Sequence, residues 1–174
     1  MKYYVFIFTF LTSGFFSVNS FSQINQVWIS SFNSSSNDDD EVQAMAVDNS
    51  GNVFVTGFTI TTSQGKDFIT IKYNSSGVLQ WSKTYNNSVI NDDDEATSIA
   101  VDALGNAYVT GYSTGDTTFK DYLTVKYSAS GEQLWTAEYN GTGNDDDISV
   151  AIKTGALGNI YITGLSVGKG TSED

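Results

Sequence analysis

The residues with the clearest capacity for chemistry in this chain are carboxylates, and they recur. The tetrapeptide NDDD stands at Asn37–Asp40, Asn91–Asp94 and Asn144–Asp147, 54 and 53 residues apart. In an extended run Asp38 and Asp40 share one side, as do Asp92 and Asp94, and Asp145 and Asp147. Crowded carboxylates beside Asn carbonyls are hard oxygen ligands that suit Ca²⁺. These six aspartates are the candidate metal ligands, and Ca²⁺ is a cofactor the sequence allows but does not require. The spacing departs from the D-x-D-x-D-G loop, and no dedicated cage can be drawn. The plainer role is a solvated acidic loop whose Asp and Asn side chains bond turn amides. Charge blocks more often form solvation or interaction surfaces than defined sites.

Other polar residues recur as well. Asp67 and Asp121 each follow a Lys and open a strand, where hydrogen bonding at strand entry is their expected task. Lys72 and Lys126 lie inside that strand. Among so many acids they read as ion-pair partners, since a nucleophilic Lys needs desolvation to lower its pKa. Gly141–Gly143 lacks the strand-loop-helix setting of a phosphate cradle.

Composition removes several function classes. The 174 residues include no His, no Cys and no Arg, and the net charge is −12. Without His the usual general base and the commonest transition-metal ligand are missing. Without Cys there is no disulfide, thiolate or Cys-based zinc site. Without Arg there is no bidentate clamp for phosphate. No basic patch exists to neutralise a nucleic acid backbone, so nucleic acid is not an expected partner. A hydrophobic content of 40% with 14% aromatics argues for a folded chain.

The first 22 residues read as a signal peptide. Lys2 precedes an apolar run from Tyr3 to Phe16, and Ser20-Phe21-Ser22 offers small residues where a signal peptidase reads, with cleavage expected after Ser22. The run is too short and too interrupted for a membrane anchor, which needs roughly 20 apolar residues. The remainder is expected outside the cytoplasm, secreted or at the cell surface, with no membrane span after cleavage.

The elements that must position the acids come from the same period. Trp28, Trp81 and Trp135 are 53 and 54 residues apart, and Gly51-Asn52 and Thr56-Gly57 each return twice at that interval. Periods near 50 signal solenoids, propellers or arrays. Within a unit, Ala96–Val101, Ala107–Tyr112, Tyr122–Tyr127 and Gln133–Tyr139 carry β-branched and aromatic residues between Gly- and Asp-bearing turns, which predicts a four-stranded antiparallel meander. Asn25–Phe32 reads as a lone fourth strand, and Ile148–Lys153 and Ile160–Leu165 as first and second strands.

The first strand has large residues on one face (Met45 and Val47; Ile99 and Val101) and small ones on the other (Ala44 and Ala46; Ser98 and Ala100). That pattern predicts an innermost strand buried on both faces between neighbouring sheets. The Trp and the aromatic four residues later share a face of the fourth strand. Wedging between sheets is their expected role, with a carbohydrate-stacking platform as the alternative. By chain direction, the acidic runs and the loops Thr59–Lys66 and Ser113–Lys120 emerge together at one face.

The blocks D-x-x-G-N-[VA]-[FY]-V-T-G-[FY] (Asp48–Phe58, Asp102–Tyr112), D-[FY]-[IL]-T-[IV]-K-Y (Asp67–Tyr73, Asp121–Tyr127) and S-x-G-x-x-x-W occur in that order. They resemble the SBBP β-propeller repeat of bacterial exported proteins, over nearly all of Gln26–Asp174. The resemblance implies an all-β propeller of four-stranded antiparallel blades of about 53 residues, seven in number by common description of the family, and implies no shared activity. The chain then divides into the signal peptide (1–22), a lone outer strand of a closing blade (23–36), blade repeats at 37–87 and 88–141, and a truncated third repeat (142–174). In the third copy Gly155 replaces Asp48 and Asp102, and Lys153 replaces Ala100, so that strand and turn are expected to be less regular.

Two functions fit. One is a non-catalytic exported module offering a binding or scaffold surface to a glycan or protein. The other is a carboxylate-pair enzyme resembling a glycoside hydrolase, which needs neither His, Arg nor Cys. Acids that recur at equivalent places favour the first. Fewer than three blades implies open strand edges that would pair with missing blades or with another copy of the chain. Light scattering on the mature chain is therefore expected to show species larger than a monomer. A sharp monomer peak with cooperative melting contradicts that.

Overall fold

The computed structural model describes residues 3–9, 25–34, 38–60, 65–87, 93–114 and 119–168, the first of these through its backbone. Among them every regular element is a β-strand, and no helix is long and apolar enough to cross a membrane. β1 (Tyr3–Thr9) and β2 (Asn25–Phe32) form an antiparallel pair. β3 (Asp40–Val47), β4 (Val53–Thr59), β5 (Asp67–Tyr73) and β6 (Leu79–Tyr85) form one meander. β7 (Asp94–Val101), β8 (Ala107–Thr114), β9 (Lys120–Tyr127) and β10 (Gln133–Tyr139) form the next, and β11 (Asp147–Thr154) pairs with β12 (Ile160–Ser166). The fold is all-β, with two complete four-stranded blades of a partial propeller flanked by shorter pieces. β1 falls within the expected signal peptide, of which residues 10–22, the cleavage site included, lie outside the described residues.

Each blade buries its faces against the next sheet. Phe54, Phe68, Ala96, Ile99, Ala107, Val109, Leu123, Val125 and Tyr127 form one cluster between the two complete blades. Ala44 and Ala46, the small face of β3, pack against it together with Val101, so small residues of one first strand receive large residues of the following one. Between the second blade and β11–β12 the same arrangement returns, with Ala100 and Tyr108 against Ile152. At the other end Trp28 and Phe32 of β2 cover Val53, Val55, Ile69, Ile71 and Tyr73.

Burial corrects one expectation. The strands hidden on both faces are β4, β5 and β8, every residue of which is buried. β3 is not, since Met45 is 48% and Val47 54% exposed. The large face of a first strand is covered only by the small face of a preceding first strand, and the β1–β2 pair before β3 supplies none. β7, which has β3 before it, buries Ile99.

A bulge in each first strand repeats with the period. Register shifts fall between Val42 and Ala44, Ala96 and Ser98, and Ser149 and Ala151. The extra residue presses the backbone onto the Gly of the recurrent Thr-Gly pair opposite. A Cβ at Gly57, Gly111 or Gly164 would lie 1.9, 1.9 or 2.0 Å from the carbonyl oxygen of Glu41, Glu95 or Ile148. The second-strand glycine is thus required by close approach, not by turn geometry.

The turns between first and second strands hold by another device. Asp102 Oδ1 accepts from the amides of Leu104 and Asn106, both at 2.9 Å, and Oδ2 from the Asn106 side chain at 2.8 Å. Asp48 does the same with Ser50 and Asn52. The third copy, expected to be less regular, keeps the backbone bonds Gly155 N to Asn159 O (2.8 Å) and Gly158 N to Gly155 O (3.1 Å). Gly158 at φ 80° supplies the left-handed residue, and Lys153 is exposed, so neither substitution disturbs β11.

Gly111→Ala is expected to lower stability by about 3 kcal/mol or more through overpacking against Glu95. Gly158→Ala, with nothing within 4 Å of the added carbon, costs only the about 1–2 kcal/mol of a left-handed residue. Urea unfolding midpoints of the two variants rank the effects, and equal losses contradict the close-approach account.

Candidate functional site

The acidic runs divide by position once the strands are in place. The last Asp of each run is not in a loop, as its sequence setting suggested. It is the first residue of β3, β7 or β11, and all three are buried. Asp40 accepts from Ser34 N at 2.9 Å and Thr59 Oγ1 at 2.5 Å. Asp94 Oδ2 accepts from Asn87 N at 2.7 Å, and Asp147 Oδ2 from Gly141 N. Each of these aspartates clasps the link arriving from the preceding fourth strand to the start of its own first strand. Hydrogen bonds from amides are what make a buried carboxylate tolerable here.

The third Asp reaches backward. Asp93 Oδ1 accepts from Lys66 N at 3.0 Å, and Asp146 Oδ1 from Lys120 N at 3.1 Å. Asp94 N also donates to Lys66 O at 2.7 Å. The acidic run of one blade is therefore stitched to the end of the second-to-third-strand loop of the blade before it. This puts the acids and those loops at the same face, in agreement with the chain-direction argument.

Of the six candidate ligands, Asp40, Asp94 and Asp147 each clasp a link, Asp94 and Asp147 through Oδ2, while Asp38 and Asp145 are exposed and Asp92 lies outside the described residues. Among the described residues no group of three or more acids has the arrangement of a metal site. The second and fourth positions are not brought together: one is at the surface, the other beneath the strand.

The recurrent lysines also take different partners from those expected. Lys72, buried, donates to Ala129 O at 2.9 Å and stands 4.9 Å from the Phe54 ring centroid. Lys126 stands 4.8 Å from the Tyr108 ring. Both are the penultimate residues of their strands, where the ammonium lies over an aromatic ring, and the Lys72 charge still helps to lower the Asp48 carboxyl. Lys66, at the loop end, does form an ion pair, with Glu95 Oε2 at 2.8 Å. Glu95 also accepts from Tyr112 OH at 3.2 Å, and burial followed by the Glu95 charge pushes that phenol well up.

The tryptophans wedge. Trp28 Nε1 donates to Ser75 O and Trp81 Nε1 to Ala129 O, both at 3.2 Å and both in the turn between third and fourth strands of the following blade. A Cβ on Gly77 or Gly131 would meet the indole at 2.6 or 2.8 Å, so these glycines, at φ 78° and 84°, form a seat for it. Trp81 also packs on Phe54 and Tyr127 with centroids 5.9 Å away. An indole held in this way is a packing element and has little face left for a sugar.

A buried hydroxyl network went unread in the sequence. Thr110 Oγ1 lies 3.0 Å from Thr124 Oγ1 and 2.8 Å from Ser149 Oγ, which donates to Gly111 O at 2.7 Å. Thr97 Oγ1 donates to Ser149 O at 2.7 Å. These bonds join the second blade to β11. The only trace of them in the sequence was a Thr returning at the middle of otherwise apolar strands.

Residues 80–117 match the model of the SBBP beta-propeller repeat. The matched span runs from β6 through the acidic link, β7 and β8, so it bridges two blades. The chain therefore carries a propeller repeat. Comparison with curated proteins gives no match.

Burial would raise the Asp102 carboxyl, but the hydrogen bonds of Asn106, Leu104 and Tyr108 outweigh it and hold the group below its ordinary 3.8. A depressed carboxylate contributes stability that is complete above about pH 4 and is lost as pH falls through the folded value. Asp102→Ala is expected to cost about 2 kcal/mol at neutral pH. Denaturant unfolding of the variant and the parent at about pH 7 and about pH 2 should show the difference narrowing in acid; a constant difference assigns the loss to packing alone.

Proposed function

We propose that this chain is a non-catalytic propeller module of an exported protein, presenting the face of its acidic links and second-to-third-strand loops to a glycan or protein ligand. One observation carries the reading: the acids equivalent by repeat perform equivalent tasks. Asp40, Asp94 and Asp147 each clasp the preceding link, and Asp93 and Asp146 each hold a lysine amide of the blade before. An inverting or retaining glycosidase needs two carboxyls with different duties and different environments at one place. Residues committed to the same structural bond in every copy do not provide that division. Their loop neighbours are free to vary while the clasps hold the loop ends, which is how binding surfaces are built on rigid scaffolds. Export rests on the composition of residues 1–22 and on the family resemblance.

A glycan array and a polysaccharide hydrolysis screen with the mature chain separate the two functions. The module is expected to retain a glycan, or to bind none if its ligand is protein, and in either case to release no reducing ends. Turnover that disappears in a carboxylate variant establishes the enzyme instead.

A further inference from the structure

Where two blades meet, the clasp aspartate is not alone. Asp121, the second residue of β9 and the register partner of Ser113, lies close enough to Asp147 of the following blade for the two charges to act on each other. Consecutive residues of the link tie the two together: Asn140 Nδ2 donates to Asp121 Oδ2 at 3.4 Å, and Gly141 N donates to Asp147 Oδ2. Each carboxylate thereby uses Oδ2. Each leaves Oδ1 buried with no hydrogen-bond partner in the protein. Asp147 is 0% exposed. The cation nearest in sequence does not fill the gap, because the Lys120 ammonium sits 4.1 Å from the Tyr112 ring centroid.

The feature belongs to the blade junction and not to the acidic run as such. Asp94, at the equivalent junction, likewise has a buried Oδ1 outside any well-formed hydrogen bond; burial and then the Asp67 charge raise its carboxyl, against the Ser113 hydroxyl and the Asn87 and Thr114 amides that face it. Asp40 has only β1–β2 before it, and both its oxygens are engaged, by Ser34 and Thr59. The orphaned oxygen thus occurs where a third-strand aspartate of the preceding blade stands beside a first-strand aspartate. A buried carboxylate with a like charge beside it is costly unless a proton or a cation lies between them. Burial, then the charges of Asp147 and Glu138, push the Asp121 carboxyl up, so a positive charge at this point would be welcome.

We propose that the pair Asp121 and Asp147 holds a divalent cation of the Ca²⁺ type between adjacent blades, through the two Oδ1 atoms. The Asn144 side-chain oxygen, which accepts from the same Asn140 amide at 3.3 Å, supplies a neutral donor nearby. Ca²⁺ tolerates this mixed and irregular set, with water completing the shell, better than Mg²⁺, which demands near-ideal octahedral geometry. Such a site pins one blade to the next, independently of what the loop face binds.

The test uses the full mature chain, with Ca²⁺ alone as probe at neutral pH. With two protein carboxylates the affinity falls in the range of about 10⁻⁴–10⁻³ M. At 10 mM Ca²⁺ the melting temperature is expected to rise by about 3 °C, against an unchanged value in Mg²⁺ at equal ionic strength. Tb³⁺ should give tyrosine-sensitised emission, since Tyr122 lies within the electrostatic reach of Asp147, and Ca²⁺ should quench it by competition. Asp147→Asn and Asp121→Asn should each abolish both responses. Using two variants guards against loss of folding in one of them. A parent chain that ignores Ca²⁺, an equal shift in Mg²⁺, or a folded variant that keeps the response overturns the proposal, and leaves a shared proton or water between the carboxyls.

Discussion

A four-stranded meander with two apolar faces cannot be buried by its own chain segment, and this constraint governs the molecule. Each sheet must be covered by a neighbour on both sides, and the neighbours are copies. The solution is asymmetric between faces: small residues at Ala44 and Ala46 accept Ile99 and Val101, and Ala100 accepts Ile152. A sheet whose two faces were alike in size would stack as a flat pile. Large against small near one end of the blade brings the first strands together closely while the aromatics of the fourth strands hold the outer edges apart, which gives a radial arrangement.

The remaining features follow from keeping the blades in step. The bulge in each first strand brings its backbone onto the second-strand glycine, and fixes which residues of the strand face which neighbour. The tryptophan fixes the outer edge by lying on a glycine turn of the next blade. The buried aspartate fixes the link. These restraints act at different radii of the blade, which leaves little freedom for one sheet to slide on another.

Much of this was legible from repetition alone. The strand order, the turn residues, the wedging role of the tryptophans and the grouping of acids with long loops all come from period and from the two-residue alternation of strands. The less legible part was the meaning of NDDD. Four adjacent polar residues look like one loop, yet Asp94 starts a strand and turns inward, Asp93 caps the preceding blade's loop, and Asp145 faces solvent. Sequence spacing cannot divide such a run, because the division depends on where the ladder of the following strand begins. The exposure of Met45 was equally hidden: its pattern matches that of Ile99, and only the presence of a neighbouring first strand separates the two. The Thr110–Ser149 network was unreadable for a related reason, since residues 39 apart meet only across a blade boundary.

The tryptophan contacts carry a direction. Trp28 rests on the turn of the blade that follows it, and Trp81 does the same one repeat later. During synthesis from the N-terminus, the indole is always made before its seat. Every finished blade therefore carries an unfilled promise toward the ribosome side, and every new blade arrives at a surface already prepared for it. The array grows like a polymer with a reactive end, and its coupling is between successive neighbours, as in a one-dimensional chain of interacting units. A propeller built this way has a leading edge until its last indole finds a turn to rest on.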